Sequence, residues 1–408
     1  MTAQGRARRR IFPGWLVVIG AFLVLMVGFG AINAYAVFAE AIGDEFGADR
    51  ASVSLIFALS GATCFFASAV TGPLADRLGP RVPAAIGMVL VGLGLVLAGT
   101  ADSLIEIYAG YGLLVGLGTG FAYVPAMAAV QSWFVAHRGL ASGIAASGIG
   151  VGTALAPAGA EALLQGSGWR LAFLAFGALA AGIGMAGALL LRTRPRRASA
   201  TPPASLPRRA FLLGWCGVLL LSLPATLPHA MLVATAQDLG LTRADALALL
   251  GLIGLGTIAG RFLLAALADV AGRRAVFLGC CATMAGSMVG WAFAADAPGL
   301  QAFALLFGAV QGGFVALLPS VVADRFGARA LGRALGLLYT SRGVALLLAP
   351  PALAAAIGVL DDHVLPLALA GLLGLIGTAL LAVPIATSPV RPASAEPPRP
   401  PHPSSGPS

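Results

Sequence analysis

Long apolar runs separated by short polar segments fill the chain from residue 12 to residue 386. A helix that crosses about 30 Å of hydrocarbon needs about 20 apolar residues. Runs of that length predict twelve spans, at roughly 12–39, 52–75, 82–101, 104–132, 139–160, 171–191, 210–235, 246–268, 275–295, 300–323, 334–358 and 364–386. The pattern therefore predicts an all-α membrane protein with twelve transmembrane helices.

Composition agrees with this prediction, since 59% of the residues are hydrophobic and only 10% are charged. A soluble domain carries about 25% charged residues, so a soluble enzyme, a disordered protein and a disulfide-stapled secreted domain are excluded. The four cysteines lie in apolar runs, form no C-x-x-C pair and behave as small hydrophobic residues. We therefore expect no metal site and no cofactor.

All 25 basic residues are arginine, and they lie in short clusters between the apolar runs. This distribution favours membrane topology over binding to nucleic acid. With both termini inside, 20 arginines are cytoplasmic, two lie within spans, and only Arg50, Arg170 and Arg243 are outside. The positive-inside rule then predicts a multi-pass protein of the plasma membrane (a bacterial inner membrane) with both termini in the cytoplasm.

A polar linker divides the chain into two halves. Residues 192–209 are rich in Pro, Ser and Arg, which predicts a flexible cytoplasmic linker between a six-helix half at 12–191 and another at 210–386. Residues 1–11 form a cytoplasmic arm, and the proline-rich residues 387–408 predict a disordered tail.

The two halves repeat each other with an offset of 193 residues. That offset aligns 72–81 with 265–274, and it also aligns the glycine-rich segment 139–157 with 332–350. Parallel repeats with a binding site between them near the midplane are typical of secondary transporters.

The loop between spans 2 and 3 resembles a signature of the major facilitator superfamily. The matching residues are Gly72, Asp76, Arg77, Gly79 and Arg81, and the second copy has Asp269, Arg273 and Arg274. Pro80 replaces a basic residue, and the second copy has Val270 where arginine is usual. The resemblance implies two pseudo-symmetric six-helix halves and a cytoplasmic latch that holds them together in one conformation.

Other motifs resemble the carboxylate branch, which contains the monocarboxylate porters and the oxalate:formate antiporters. They are Pro13-Gly14-Trp15 in span 1, the segment from Trp133-Phe134 to Gly143 entering span 5, and Gly260-Arg261 ahead of Asp269 in span 8. The segment from Tyr339 to Ala345 resembles span 11 of the antiporters, with Arg342 where they carry lysine.

Arg261 and Arg342 are the candidate substrate-binding residues. An arginine at the centre of a span costs about 2.5–3.5 kcal/mol on insertion scales, and the carboxylates of the second half all lie at span ends. Both arginines lie roughly 12–14 Å from the cytoplasmic edge. Two unpaired guanidinium groups at one depth suit a small anion. The alternative is that they cap exposed carbonyls or line a water-filled cleft.

Two like charges favour a dianion, or one anion that enters as another leaves. An oxalate-type substrate therefore competes with a lactate-type one. The lysine of monocarboxylate porters aligns with Asn33, and the acid before their span 8 arginine aligns with Thr257, so the usual proton-coupling groups are missing. Asp238 resembles an acid of bacterial porters and could carry the proton instead; an ordinary loop acid is the alternative.

Further polar residues could complete the site. Tyr123 shares the arginine layer and could donate to the substrate, or it could be an interhelical packing residue. Tyr339 lies three residues before Arg342 and could stack on it or on the substrate. Asn33 and His229 could form an outer gate, although a histidine that packs between helices is an alternative for His229. Tyr35 faces nearly opposite to Asn33.

The sequence thus predicts a secondary transporter of a small organic carboxylate, and no enzyme. A chain without lysine has no Walker lysine, which excludes ATP-driven transport by this chain. We expect a monomer in the lipid bilayer, with a coupled proton or an exchanged anion as alternative partners. An efflux pump for drugs or other small molecules is the first competing function, and a receptor or scaffold with an inactive transporter fold is the second.

Overall fold

The computed structural model describes residues 12–134, 137–193, 207–294, 296–327, 331–360 and 364–383. The predicted arm at 1–11, linker residues 194–206 and the tail at 387–408 lie outside this set.

The first half forms six helices. They are α1 (Pro13–Phe46), α2 (Arg50–Leu78), α3 (Arg81–Gly99), α4 (Leu104–Trp133), α5 (138–167) and α6 (169–190). The backbone of α4 is π-helical over Tyr108–Val115. Between α5 and α6 the chain bends at Gly168, whose φ of 80° and ψ of 166° are non-helical and open to glycine at low cost.

The second half also forms six helices. They are α7 (Arg208–Asp238), α8 (Arg243–Ala271), α9 (Arg273–Ala292), α10 (Ala297–Phe326), α11 (Leu331–Leu360) and α12 (Val364–Ala382). Ten helical stretches of the described chain are long and apolar enough to cross a membrane, and one of them, Arg138–Leu190, contains both α5 and α6. With α11 the described residues hold twelve helices, as predicted.

Short polar residues start several of these helices. Asp49 accepts the Ser52 N–H at 3.1 Å ahead of α2, and Asp296 accepts the Gly299 N–H at 2.9 Å in the first turn of α10. Thr242 does the same for α8. Such N-caps each contribute about 1 kcal/mol to helix stability, so the loops between apolar runs define where the helices begin.

Helix packing repeats between the halves. In the first half α1 packs on α5, α2 on α4, and α3 on α6; in the second half α7 packs on α11, α8 on α10, and α9 on α12. The six pairs correspond under the sequence repeat.

The halves meet along two helix pairs, which we call the α2–α11 seam and the α5–α8 seam. Both seams close at the end of the bundle where Arg274 contacts Ala382, which we call the terminal end. Toward the far end the α5–α8 seam opens, because a Cβ added at Gly251 or Gly254 would meet no atom within 4 Å. Extensive packing between α1 and α7 is absent from the described residues. The protein is therefore closed at the terminal end and open at the far end.

Candidate functional site

Asp76 closes the terminal end of the α2–α11 seam. Its carboxylate accepts the backbone N–H of Gly332 at 3.3 Å and that of Arg333 at 2.9 Å. Both amides belong to the first turn of α11, where helical N–H groups lack intrahelical partners and carry partial positive charge. This acid of the predicted latch thus caps a helix of the opposite half.

Asp269 makes the equivalent contact in the α5–α8 seam. Its carboxylate accepts the N–H groups of Gly139 at 3.1 Å and Leu140 at 3.0 Å, in the first turn of α5. The offset of 193 residues places Asp76 on Asp269 and Gly139 on Gly332. The two seams therefore close with the same bonds.

A charged cluster adds to the second contact. Asp324, near the end of α10, lies 2.8 Å from Nη1 of Arg138 and 3.0 Å from Nη1 of Arg273. Nε of Arg273 also lies 3.3 Å from Asp269. Because Arg138 belongs to the first half, the cluster joins the halves at the terminal end.

Gly79 of the predicted latch and its repeat mate Gly272 form turns, and Gly72 of the latch allows close approach. Gly79 and Gly272 have φ of 80° and 97°, in the region that favours glycine. Gly72 lies against α11, since a Cβ on Gly332 would come 2.5 Å from the Gly72 carbonyl oxygen.

Other arginines of the predicted latch have different surroundings. Arg274 Nη2 donates to the carbonyl oxygen of Ala382 at 2.6 Å, which ties α9 to α12 within one half. Arg77 is exposed. Nε of Arg81 is buried and has no hydrogen-bond partner in the described part of the chain.

Glycines bring the two helices of each seam into backbone contact. A Cβ on Gly143 would overlap the carbonyl oxygen of Arg261, and a Cβ on Gly336 would overlap that of Ser68. These contacts are repeat mates. Farther along α5, a Cβ on Gly150 would lie 2.9 Å from Nη1 of Arg261, so the absence of a side chain makes room for this guanidinium.

Arg261 is buried in the α5–α8 seam with 4% of its surface exposed. Its Nε and Nη1 are buried and have no hydrogen-bond partner among the described residues. Arg342 and Tyr123 lie within its electrostatic range. A buried guanidinium nitrogen without a partner carries a large desolvation cost, and an anion bound here would offset it.

Arg342 is half-buried on α11, and its guanidinium lies near two aromatic rings. Its Cζ is 5.0 Å from the ring centre of Phe65 on α2 and 5.4 Å from that of Phe314 on α10. Both distances fall within the range of cation–π attraction. Phe65 is half-buried and Phe314 is fully buried.

Tyr123 and Tyr339 join the halves beside Arg342. Their hydroxyl oxygens are 3.0 Å apart, and their rings stack with centres 4.9 Å apart. Sequence spacing suggested that Tyr339 could stack on Arg342 or on the substrate; in the structure its ring stacks on that of Tyr123 from the other half. Phe29 packs edge-on against Tyr123 at 5.2 Å.

Asn33 and Tyr35 point to different surroundings on α1. Asn33 is half-buried, and its side-chain amide donates to the Phe29 carbonyl oxygen at 2.8 Å. Tyr35 is 1% exposed and donates to the Val53 carbonyl oxygen at 3.0 Å within the first half. Of the two, Asn33 is the side chain that remains partly accessible.

The candidate gate or coupling residues of α7 lie toward the far end. His229 is exposed and faces Phe307 edge-on, with ring centres 6.2 Å apart. Asp238 is the exposed last residue of α7. They lie apart from the arginine layer in depth, because His229 is 21 residues from the start of α7, whereas Arg342 is 11 residues from the start of α11 and Arg261 is eight residues before Asp269.

Sequence reasoning missed a polar cluster between the arginine layer and the terminal end. The Gln131 amide nitrogen donates to the Ser142 hydroxyl and, at 3.2 Å, to the Ser320 hydroxyl. All three residues are buried, and they join α4, α5 and α10. No local motif marks them, because each is a common residue in an apolar helix.

Sequence reasoning also missed Phe65 and Phe314, for a similar reason. Phenylalanine in a membrane span is ordinary, and only the folded structure brings these two rings to one guanidinium. The part of the chain that the structure describes contains no group of His, Cys, Asp or Glu that could hold a metal ion.

These features describe a helical membrane protein with two similar halves, a cleft open at one end, and two cations between the halves. Such an arrangement is typical of a membrane transporter.

Comparison with known proteins gives the family. The sequence matches the Major Facilitator Superfamily over residues 20–222 and again over 214–406. Monocarboxylate transporter 13 of Bos taurus is 31% identical over 350 residues, covering 83% of this chain and 81% of that protein. Monocarboxylate transporter 12-B of Danio rerio is 28% identical over 399 residues, covering 86% and 83%.

Solved structures show the same fold. The human organic anion transporter MFSD10 matches with a TM-score of 0.71 at 18% identity, covering 90% of this chain and 99% of that one. The proton:xylose symporter XylE matches with a TM-score of 0.70 at 16% identity, covering 90% and 95%.

The chain belongs to the major facilitator superfamily and resembles its monocarboxylate branch. It is a multi-pass membrane transporter of small organic solutes and not an enzyme.

Proposed function

We propose that this protein is a secondary active transporter of small organic carboxylate anions that works by alternating access. The observation that carries the proposal is Arg261, a buried arginine with two unpartnered guanidinium nitrogens, among the described residues, at the boundary between the halves. A carboxylate would accept in-plane hydrogen bonds from such a group. Arg342 and the Tyr123 hydroxyl, both within electrostatic range of Arg261 or of each other, would complete the site.

The relatives support the same substrate class. Proteins named monocarboxylate transporters align along most of this chain at 28–31% identity. Their names apply to those proteins, and the deep cations of this chain are the independent reason to extend the substrate class to it.

The charge distribution supports an orientation. Arginines concentrate at the terminal end, so we place that end, with both chain termini, in the cytoplasm of a plasma membrane, for a bacterium its inner membrane. The conformation described above is then open to the outside. Inward opening would break the caps at Asp76 and Asp269, while Asn33 and His229 would approach one another as the outer gate.

Two coupling mechanisms are compatible with this proposal. Asp238 could carry a proton with the substrate, or a second anion could be exchanged. An uptake driven by an inward proton gradient that is lost in Asp238→Asn supports the first. Uptake that needs an internal anion at any pH supports the second.

The test is counterflow in proteoliposomes with labelled lactate, pyruvate, formate and oxalate. We expect at least one of them to exchange, and we expect Arg261→Ala to lose that flux while it still elutes as a folded protein. Arg209→Ala is the matched control, because it removes an exposed arginine at the start of α7. Normal flux through Arg261→Ala would contradict the site.

Two other outcomes would redirect the function. Flux of none of the four anions, with transport of a lipophilic cation or drug, would indicate an efflux pump. Saturable binding of a carboxylate without counterflow would indicate a receptor with a transporter fold.

A further inference from the structure

Arg342 differs from the other deep arginine in the aromatic rings that surround its guanidinium. The Cζ atom of Arg342 lies 5.4 Å from the ring centre of Phe314 and 5.0 Å from that of Phe65. Phe314 is held in place, because it is fully buried and stacks on Phe277 with ring centres 5.7 Å apart. Phe65 is half-buried and belongs to the other half of the protein.

Phe65 is also packed against the tyrosine pair. Its ring centre lies 5.9 Å from that of Tyr339 and 6.4 Å from that of Tyr123. The two tyrosines are buried and hydrogen-bonded to each other. The ring of Phe65 therefore contacts both the buried tyrosine pair and the guanidinium of Arg342.

The planar shape of the guanidinium gives this arrangement a consequence. Rings interact with the faces of the group, while its N–H donors point outward in the plane. Arg342 can therefore keep its aromatic contacts and still present N–H donors to an anion. A lysine ammonium has no such plane, which gives a physical reason for arginine at this position.

We propose that Phe65 is a positioning residue for anion binding: it holds the guanidinium of Arg342 in the orientation that a carboxylate needs, and it partners the cation while no anion is bound. This inference rests on the proposed function, since it assumes that an anion binds at Arg342. It adds that the contact between the Phe65 ring of one half and Arg342 of the other keeps this guanidinium in place before a substrate carboxylate binds.

The effect of removing the ring follows from the size of a cation–π contact. Phe65→Leu keeps an apolar side chain but loses the ring, and we expect the half-saturating substrate concentration to rise about 3- to 30-fold. Phe65→Trp keeps an aromatic face and should retain or nearly retain wild-type affinity. The maximal rate should change less than the affinity, because the side chain acts on binding.

The test is a double-mutant cycle measured by counterflow of whichever carboxylate the wild type transports. The variants are Phe65→Leu, Arg342→Lys and the double variant, with Phe262→Leu as the control because Phe262 is 37% exposed and lies next to Arg261 in sequence. If Phe65 acts only by orienting the guanidinium of Arg342, its loss should matter little once that guanidinium is gone. The half-saturating concentration of the double variant should then exceed that of Arg342→Lys by no more than about twofold.

Three results would overturn the inference. They are wild-type affinity in Phe65→Leu, fully additive losses in the double variant, or equal losses in Phe65→Leu and Phe65→Trp, which would indicate a purely steric role. Failure of the proposed function is distinguishable, because the wild type itself would then show no carboxylate flux.

Discussion

The two seams have the same backbone contacts and different chemistry. Gly143 on Arg261 and Gly336 on Ser68 are repeat mates, as are the caps made by Asp269 and Asp76. The offset of 193 residues thus places an arginine of the α5–α8 seam on a serine of the α2–α11 seam.

The second cation occupies a different position in its seam. Arg342 lies on α11, and its repeat mate on α5 is Ile149; its aromatic partner Phe65 has Ile258 as a repeat mate on α8. Arg261 has buried nitrogens without partners in the described chain, whereas Arg342 has two rings. The two seams thus share their backbone contacts, whereas both cations of the site, Arg261 on α8 and Arg342 on α11, come from the second half.

The largest expected effect comes from removing the unpartnered cation. Arg261→Gln should lower substrate uptake about 100-fold or more, because loss of one member of a buried charged contact costs about 2–5 kcal/mol. Arg342→Gln should lower uptake about 10-fold. Initial rates of counterflow measure both effects. Equal losses in the two variants would contradict the larger role given to Arg261.

A bulky residue in either seam should have the next largest effect. Gly143→Leu and Gly336→Leu would each push a side chain into the backbone of the opposite half, and overpacking costs about 1–3 kcal/mol. We expect uptake about 5- to 100-fold below wild type in both.

The control for these substitutions is Gly279→Leu on α9, since a Cβ there meets no atom within 4 Å. It should transport at the wild-type rate. Normal uptake in Gly336→Leu would mean that the α2–α11 seam does not close during the cycle.

Loss of the helix caps should have a smaller effect that differs between the seams. Asp76→Asn and Asp269→Asn each weaken a charged cap worth about 1 kcal/mol. The change should be larger in Asp269→Asn, because this substitution also weakens the ion pair between Asp269 and Arg273. The readout is maleimide labelling of a cysteine placed at Ser320, with the four native cysteines replaced. Faster labelling in Asp76→Asn than in Asp269→Asn would contradict this order.

The smallest effect is expected outside both seams. Glu45 at the end of α1 accepts hydrogen bonds from Arg170 and, at 2.7 Å, from the Trp169 indole of α6. The hydrogen bond from Arg170 lowers the pKa of Glu45. Its contribution to stability is therefore present above the usual carboxylate pKa and lost as the pH falls through the lowered value.

Glu45→Gln should accordingly leave counterflow unchanged and remove a small acid-dependent part of the thermal stability. Thermal unfolding followed from pH 7 down to pH 3 measures this difference. A loss of flux in Glu45→Gln would place the far end of α1 within the transport machinery.

The fold was accessible from the sequence because apolar length and arginine position are local properties. The repeat offset is likewise a property of the sequence, and it pairs Asp76 with Asp269 and Gly139 with Gly332. The predicted gap between spans 5 and 6 contains Gly168, but apolar length does not reveal the backbone geometry there or the π-helical part of α4.

The site was accessible only in part. Arg261 and Arg342 are conspicuous because a charge in an apolar span is costly. The residues around them depend on which helix of the other half faces them, and Phe65 beside Arg342 is an example. The stacking of Tyr123 on Tyr339 likewise depends on contact between the halves. Spacing along one helix places Tyr339 near Arg342, but it cannot reveal that the ring of Tyr123 on α4 stacks on Tyr339.

Equilibrium binding of a labelled carboxylate to the purified protein tests the central claim most directly, because it separates the site from the transport cycle. We predict one bound anion per chain in the wild type and in Arg209→Ala, weaker binding in Arg342→Gln, and none in Arg261→Gln. Unchanged binding in Arg261→Gln would contradict the assignment of the buried, unpartnered arginine as the anion site.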